Sequence, residues 1–437
     1  MSNTRRLSFL LLSALIVTIG LVTESARAFH SGGVGECDGC HTMHGTQEGA
    51  TAGILNQYLL KGTDAGSVCL NCHQQANAPG PATYHVSTPF SEIPAGTPPK
   101  QLSPGGDFAW LKKTFNWYAS VGDTVSYSYG DRHGHNINAI DYGYVQDSVN
   151  TVAPGGGYPS ESLTCISCHD PHGTYRRSSD GSISTTGLPI FGSGSFNNSA
   201  DPVAGVTAAG VYRMLGGAGY HQRSISEGFS FLYGPPAAVA PFPANRAENV
   251  SLTRVAYGQG MSEWCLNCHP QIHLTGSPFV HPSGSSAPLG VDISAYYNQY
   301  INSGDLSGKM ANSYLSLVPF EIGTSSYNAL KWIVTNTPTK GPDSTDGMPQ
   351  VTCLTCHRAH ASGWDGAMRW NTKTDFIVYN GRYSQEGEQY QPYGQGRSEA
   401  EGSQAYYQIP VSSFSNSTST SQGSLCYKCH ATIPKSP

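Results

Sequence analysis

The sequence has few charged residues and few apolar ones. Charged residues are 12% of the 437, and apolar residues are 38%. In ordinary globular chains, about 25% of residues are charged and about 45–50% are apolar. Glycine and proline are frequent instead, with 51 and 28 copies, 79 of 437 residues or 18%, where about 12% is usual. Such a chain has little apolar side-chain mass to offset the entropy cost of ordering. We therefore expect that something other than side chains forms much of its core.

Long apolar runs are missing after the N-terminus. Residues 1–28 resemble a secretory signal peptide, with basic Arg5 and Arg6, an apolar stretch over Leu7–Val22 and a small-residue cleavage site at Ala26–Ala28. No later run approaches the roughly 18 to 20 apolar residues that span a bilayer. The sequence predicts an exported protein without a membrane span. The paired arginines are compatible with a twin-arginine signal, but we favour an ordinary secretory signal.

The charge balance argues against a nucleic-acid partner. The formal net charge is −5, and cleavage of the signal would remove three arginines and one glutamate, which leaves −7. No block of basic residues offsets this. No low-complexity linker divides residues 29–437, so we expect them to form a single domain.

The cysteines follow one strict pattern. All 12 stand in C-x-x-C pairs, and a histidine follows each pair directly. C-x-x-C alone would also suit three Cys₄ zinc sites or six disulfides. Because only 16 residues of 437 are histidine, six such histidines by chance have odds on the order of 10⁻⁹. C-x-x-C-H is the attachment signature of c-type haem. The sequence predicts six covalent haem c groups, held by Cys37, Cys40 and His41; Cys69, Cys72 and His73; Cys165, Cys168 and His169; Cys265, Cys268 and His269; Cys353, Cys356 and His357; and Cys426, Cys429 and His430.

Each iron needs a second axial ligand, and ten histidines remain for six positions. Histidine in both positions is typical of low-potential electron transfer, whereas an open position allows substrate chemistry. Three of the ten lie three residues after a proximal histidine: His44, His172 and His360. On one helical turn this spacing puts both imidazoles on nearly the same side. These three are therefore poor ligands for their own iron and better placed to bind the iron of a different haem.

The other candidates stand alone in turn-like segments. A lone loop histidine is more often solvated than ligating, but the unfilled irons favour ligation here. We rank His85, His135 and His281 next and His30 and His273 close behind, and we expect His133 and His221 on the surface. Histidine supply makes methionine ligation unnecessary. We interpret the 25 tyrosines and six tryptophans as packing against porphyrin, rather than as an electron relay.

The fold class predicted is a multihaem cytochrome that is mostly coil, with a few short helices, little or no sheet and a core of stacked haems. Apolar spacing predicts helices over Ile293–Ile301 and Tyr327–Val334, and a further one after Gly308 that includes Met310, Tyr314 and Leu317. Each attachment motif should add a short helical turn. The motif starts, at 37, 69, 165, 265, 353 and 426, are too uneven for a solenoid.

The chain resembles the family of outer-surface hexahaem cytochromes that polymerise into conductive extracellular filaments in metal-reducing bacteria. The resemblance covers essentially all of the chain after the signal. The segments that carry it include FHSGGVGECDGCHTMH, GGDFAWLKKT, GHN, CHDPHG with Thr174–Arg177, DGSISTTGLPI, RVAYGQGMSEWC, YLSLVPFE and CLTCHRAHASG.

The resemblance implies six bis-histidine haems in a continuous stack and head-to-tail assembly outside the cell. It implies that His44 ligates the haem on Cys353, Cys356 and His357 of the next subunit. Partners would be further copies of the chain, other cytochromes and extracellular electron acceptors.

Two other functions remain open at this stage. The first is a monomeric periplasmic or outer-surface electron carrier. The second is a multihaem reductase, such as a nitrite or hydroxylamine enzyme, which keeps one iron open to substrate. The surplus of histidines leaves no evident open site, so we expect an electron-transfer protein and not an enzyme.

Overall fold

The structure, a computed structural model, describes residues 37–42, 59–74, 85–120, 122–173, 176–184, 203, 209–210, 214–225, 229–240, 254–272, 281–345, 347–383, 393–414 and 420–430. The predicted signal peptide and three candidate ligands, His30, His44 and His273, lie outside these residues. Among the described residues, no helix has the length and apolar content that crossing a membrane requires.

Helices in the described residues are short. They are α1 (Cys37–Cys40), α2 (Ala65–His73), α3 (Met261–Cys265), α4 (Gly290–Gln299), α5 (Tyr327–Asn336), α6 (Cys353–Cys356) and α7 (Glu399–Ala405). Side chains cap several of them. Asp64 accepts a hydrogen bond from Ser67 N at the start of α2, and Ser326 accepts one from Ala329 N at the start of α5. These caps satisfy backbone donors that a helix leaves unpaired in its first turn.

The strands are two or three residues long and form four small sheets. They are β1 (Phe115–Trp117), β2 (Ser126–Ser128), β3 (Arg176–Arg177), β4 (Ile183–Ser184), β5 (Ala209–Gly210), β6 (Ala238–Val239), β7 (Ala256–Gly258), β8 (Glu321–Ile322), β9 (Phe376–Val378) and β10 (Gln422–Gly423). Their orders are β1-β2, β10-β9, β4-β3-β5 and β6-β7-β8, and among these described strands β7 and β8 are the only parallel pair. The predicted coil-rich fold class is confirmed.

Two of the three helices predicted between the attachment motifs are confirmed as α4 and α5. The prediction of a third helix after Gly308 is wrong. After Gly308 the chain forms only a 3₁₀ turn over Met310–Asn312. Tyr314 N donates to Thr339 O at 3.0 Å and not to a residue one turn back. Tyr314 and Leu317 are nevertheless buried. Contact with a distant segment thus replaced the local hydrogen bonds that a helix needs.

Buried apolar side chains form three clusters beside the attachment motifs. The largest joins Trp110 and Phe115 to residues of the 237–425 region, and Cys356 and Cys429 pack against it. A second, around Tyr257 and Met261, contacts Cys168 and Cys265. The third, around Leu70 and Phe108, contacts Cys165. The third to sixth motifs therefore sit at the edges of the apolar clusters, where a porphyrin would extend each cluster.

Candidate haem-binding site

Local capping shapes the turns that present the cysteines. In the third motif, Thr164 N donates to Ser167 Oγ at 2.9 Å, and in the fifth, Thr352 N donates to Thr355 Oγ1 at 3.0 Å. The third and sixth motifs form 3₁₀ turns over Cys165–Ser167 and Leu425–Lys428. Each turn brings its two cysteines to neighbouring positions one turn apart. The predicted helical turn at the motifs is present in these elements and in α1, α2, α3 and α6.

No disulfide joins any of the 12 cysteines, all of which lie in the described residues. Within the described ranges, which include every cysteine, no group of three or more cysteine, histidine, aspartate or glutamate side chains could hold a metal ion. The geometry therefore does not support the zinc or disulfide interpretation of the C-x-x-C pairs. A haem iron needs only two protein ligands, because the porphyrin supplies the other four.

Consecutive motifs are neighbours in space. The Cys69 side chain lies beside that of Cys165, and the Cys265 side chain lies beside that of Cys353. Cys40 is likewise near Cys69 and Cys72, Cys268 is near Cys168, and Cys356 is near Cys426 and Cys429. The attachment sites thus follow one another through the protein in their sequence order.

Three pairs of imidazoles face one another at a distance that fits an iron between them. Ring centres are 6.2 Å apart for His135 and His269, 6.4 Å for His169 and His360, and 6.0 Å for His281 and His430. Two imidazoles on opposite sides of one metal ion, each bonded at about 2 Å, have ring centres about 6 Å apart. The residues present therefore fit bis-histidine haem.

His73 and His85 are also neighbours, since Val86 N donates to His73 O at 2.9 Å. Burial lowers the pKa of His85, and the neighbouring His73 lowers it further. Burial likewise lowers the pKa of His135, with His269 and His357 adding to the effect. Both imidazoles are thus held in the neutral form, which is the form that ligates a metal.

The second ring nitrogen of several candidate ligands is bound to a backbone carbonyl. Nδ1 lies 2.7 Å from Ala359 O in His135, 2.7 Å from Pro154 O in His269, 2.8 Å from Pro282 O in His281 and 2.7 Å from Gly366 O in His357. Since a carbonyl only accepts, Nδ1 donates in each case. Nε2 is then the nitrogen left for iron.

The segment that follows the fifth motif contacts three sites. His357 belongs to its own motif, His360 faces His169 of the third, and Ala359 O orients His135, which faces His269 of the fourth. Gly134 permits the close approach, because a Cβ there would lie 2.2 Å from His360 O. Phe108 stacks on His360 with ring centres 4.6 Å apart. The +3 histidine of this motif thus faces the ligand of a different haem.

The remaining histidines are placed as follows. His172 is exposed, and its backbone N donates to Asp170 Oδ1 at 3.0 Å. His221 is exposed, as expected. The expectation for His133 is wrong, because its side chain is 0% exposed. Its Nδ1 lies 2.9 Å from Trp110 O and its Nε2 2.8 Å from Ser128 Oγ, so protein groups occupy both nitrogens.

A buried carboxyl group between the fourth and fifth motifs was missed by sequence reasoning. Glu321 is fully buried, opposite Gln350 in a short antiparallel bridge, and its carboxyl accepts from Met261 N at 3.3 Å. Burial raises the pKa of Glu321 to about 8, and Glu263 and Cys353 add to the effect. The only sequence signal for a buried carboxyl group here is that its two neighbours, Phe320 and Ile322, are apolar.

We expect Glu321→Gln to remove a pH dependence of stability. The unfolded glutamate ionises near pH 4.5 and the folded one near pH 8, so the folded state holds the extra proton between these values. Wild-type unfolding free energy should fall as pH rises from about 5 to 8, by on the order of a few kcal/mol. Denaturant unfolding at pH 5 and pH 9 measures this. Glu161→Gln, at an exposed position, is the control. Equal pH profiles for wild type and Glu321→Gln would contradict the prediction.

The attachment motifs and the facing imidazoles define this protein as a multihaem c-type cytochrome. No protein-family model matches the chain. It is 48% identical over 433 residues, 96% of this chain and 98% of the relative, to C-type cytochrome OmcS of Geobacter sulfurreducens. Two solved structures of that bacterium's protein, described as an Outer Membrane Cytochrome S filament and as OmcS nanowires, match with a TM-score of 0.81. Each match covers 92% of this chain and 100% of the other. The chain belongs to the OmcS family of c-type cytochromes.

Proposed function

We propose that this protein carries electrons outside the cell along filaments of its own copies. The observation that supports this most directly is the set of neighbouring imidazole pairs, which would fill both axial positions of the irons they hold and leave no place for substrate there. The related solved structures are described as a filament and as nanowires, which favours a polymer over a monomeric carrier. The chain would act as an electron-transfer protein and not as an enzyme. Six bis-histidine haem c groups would supply reversible one-electron chemistry at low potential.

The proposed ligands follow from the facing pairs. His73 with His85, His169 with His360, His269 with His135, and His430 with His281 would each hold one iron. Three of these pairs join residues more than 100 positions apart in the sequence. Iron ligation would therefore tie distant coil segments together, as disulfides do in small secreted proteins.

Two proximal histidines remain, His41 and His357. The family resemblance assigns His44 of a neighbouring copy to the iron on His357. We assign His172 to the iron on His41, because His172 shares the +3 spacing with which His360 faces another motif's ligand. His30 and His273 are then not needed as ligands.

The order of the cysteine contacts supports a single path from the first motif to the sixth. Joined head to tail, such subunits form an open heterologous assembly, which grows into a filament because the contact does not close. Residues 29–437 would form this unit after export under the signal at 1–28. Electrons would be exchanged with other cytochromes and with extracellular acceptors, and no membrane span or nucleic acid is involved.

Ligand binding tests whether every iron is closed. We expect the assembled, reduced protein to bind no carbon monoxide at stoichiometric levels and to show only low-spin haem spectra in both redox states. Denatured protein, in which the distal histidines are released, is the positive control for binding. One high-spin haem in the native protein, or one carbon monoxide per chain, would instead support the reductase interpretation.

A further inference from the structure

The turn after the fifth motif places a carbonyl on a proposed iron ligand. Residues Asp365–Ala367 form a short 3₁₀ turn, and Gly366 O accepts a hydrogen bond from His357 Nδ1 at 2.7 Å. Gly366 and Ala367 both have left-handed backbone, with φ of 71° and 55°. That conformation is unfavourable for alanine. Contacts from outside the turn must therefore hold it in this shape.

Backbone contacts hold one side of the turn. Arg358 N donates to Ala367 O at 2.7 Å, and Arg369 N donates to Cys356 O at 2.7 Å. His357 and Met368 form an antiparallel bridge between these two bonds. This side fixes the turn to the motif itself.

The Asp365 carboxylate holds the other side. Ser128 Oγ donates to its Oδ1 at 2.5 Å, and Lys373 Nζ donates to its Oδ2 at 2.5 Å. His133 Nε2 lies 3.6 Å from Oδ1. Burial opposes ionisation of Asp365, but the neighbouring His133 and the hydrogen bonds from Lys373 and Ser128 outweigh it and hold its pKa well below the ordinary value. The group is therefore an anion at neutral pH.

Buried groups fix the partners of this carboxylate. Arg397 Nη2 donates to Ser128 Oγ at 3.0 Å, and the guanidinium lies over the Trp364 and Phe115 rings at 4.2 Å from each centre. Ser128 and Arg397 are 1% and 0% exposed. The carboxylate is thus anchored to Ser128, a buried residue 237 positions away in sequence.

We propose that Asp365 is a positioning residue for His357, acting through the Gly366 carbonyl. This rests on the proposed function, in which His357 binds the iron that receives His44 from the next subunit. A hydrogen bond donated by Nδ1 to a carbonyl fixes the orientation of a ligating imidazole and makes the imidazole a stronger base. Asp365 would therefore set the ring orientation and lower the reduction potential of the haem at the junction between subunits.

Asp365→Asn tests the proposal in the haem-loaded, assembled protein. The variant keeps the size of the side chain but loses the anion that Ser128 and Lys373 bind. We expect one of six low-spin ferric haem signals in electron paramagnetic resonance to shift, and the midpoint potential of one haem to rise. Asp365→Glu, which keeps the carboxylate, should reverse most of both changes. Gly366→Ala should shift the same signal, because its φ of 71° disfavours a side chain.

Asp343→Asn is the matched control. Asp343 also accepts from a lysine in a turn, with Lys340 Nζ at 2.9 Å, but it does not adjoin a proposed iron ligand. Its spectra and potentials should equal those of wild type. If Asp365→Asn does not fold, Lys373→Met, which removes a half-exposed partner of the carboxylate, should shift the same signal by a smaller amount.

The outcomes separate this inference from the proposed function. Six low-spin haems in wild type, with Asp365→Asn indistinguishable from Asp343→Asn, would overturn the positioning role alone. The same holds if Lys373→Met is the variant measured and is indistinguishable from Asp343→Asn. A wild-type protein without six low-spin haems would overturn the proposed ligation and this inference with it.

Discussion

His44→Ala should weaken filament growth and open one iron per subunit, although the haem beside it stays attached. Attachment of the first haem uses Cys37, Cys40 and His41, and none of these changes. His44 follows His41 by three residues, a spacing that on one helical turn puts both imidazoles on nearly the same side and so predicts that His44 is a poor ligand for the same iron. The equivalent spacing places His360 opposite His169 of another motif, with ring centres 6.4 Å apart. This supports the expectation that His44 also serves an iron other than its own.

The effect of His44→Ala on filament length should be large because the proposed His44–iron bond would join two subunits. A histidine–iron bond across a subunit interface holds two copies together and brings two haems close to each other. Its loss removes one metal–ligand bond at every junction of the filament. Long filaments depend on all junctions at once, so even a modest weakening of each contact shortens them sharply.

Electron microscopy of secreted material and carbon monoxide titration measure the two effects. His44→Ala should give few or short filaments and bind about one carbon monoxide per chain, at the iron on His357. His221→Ala, at an exposed histidine that we do not assign to iron, should behave as wild type. His172→Ala should open an iron within the subunit and affect filament length less. Filaments of normal length from His44→Ala, with every haem low-spin, would show that His44 is not the ligand between subunits.

Preventing haem attachment should leave a chain without a stable fold. The low apolar fraction and high glycine and proline content give little driving force for folding. The apolar clusters lie beside Cys165, Cys168, Cys265, Cys356 and Cys429, so each cluster would lose its porphyrin neighbour. The facing histidines would lose the iron that joins them, and neutral imidazoles do not attract one another across that gap.

Export of the chain in cells with and without the haem-attachment machinery tests this expectation. The haem-free protein should be digested rapidly by protease and should show no cooperative thermal transition. The loaded protein from matched cells, prepared in the same way, is the control. A haem-free chain that melts cooperatively near the temperature of the loaded protein would contradict the prediction. It would mean that the large apolar cluster around Leu317, Leu330 and Val378 suffices for folding.

Sequence alone predicted the attachment sites because they are local. Two cysteines and a histidine within five residues bind one haem, whatever the rest of the chain does. The same locality made α4 and α5 predictable, since an apolar stripe at helical spacing forms a helix when its polar face meets solvent. The turn after Gly308 was not predictable, because Tyr314 N bonds to Thr339 O.

The proposed axial pairs rest on the tertiary structure. Composition and spacing gave a set of candidate histidines, but which two imidazoles face each other depends on segments 134 to 191 residues apart, such as those of His135 and His269 or His169 and His360. His133 and His135 show the limit clearly. They are two residues apart in the same loop, yet His133 is buried against Trp110 O and Ser128 Oγ, whereas His135 faces His269. The sequence shows which side chains could bind iron. Which ring nitrogens are instead hydrogen-bonded to protein groups depends on how distant segments of the backbone pack together.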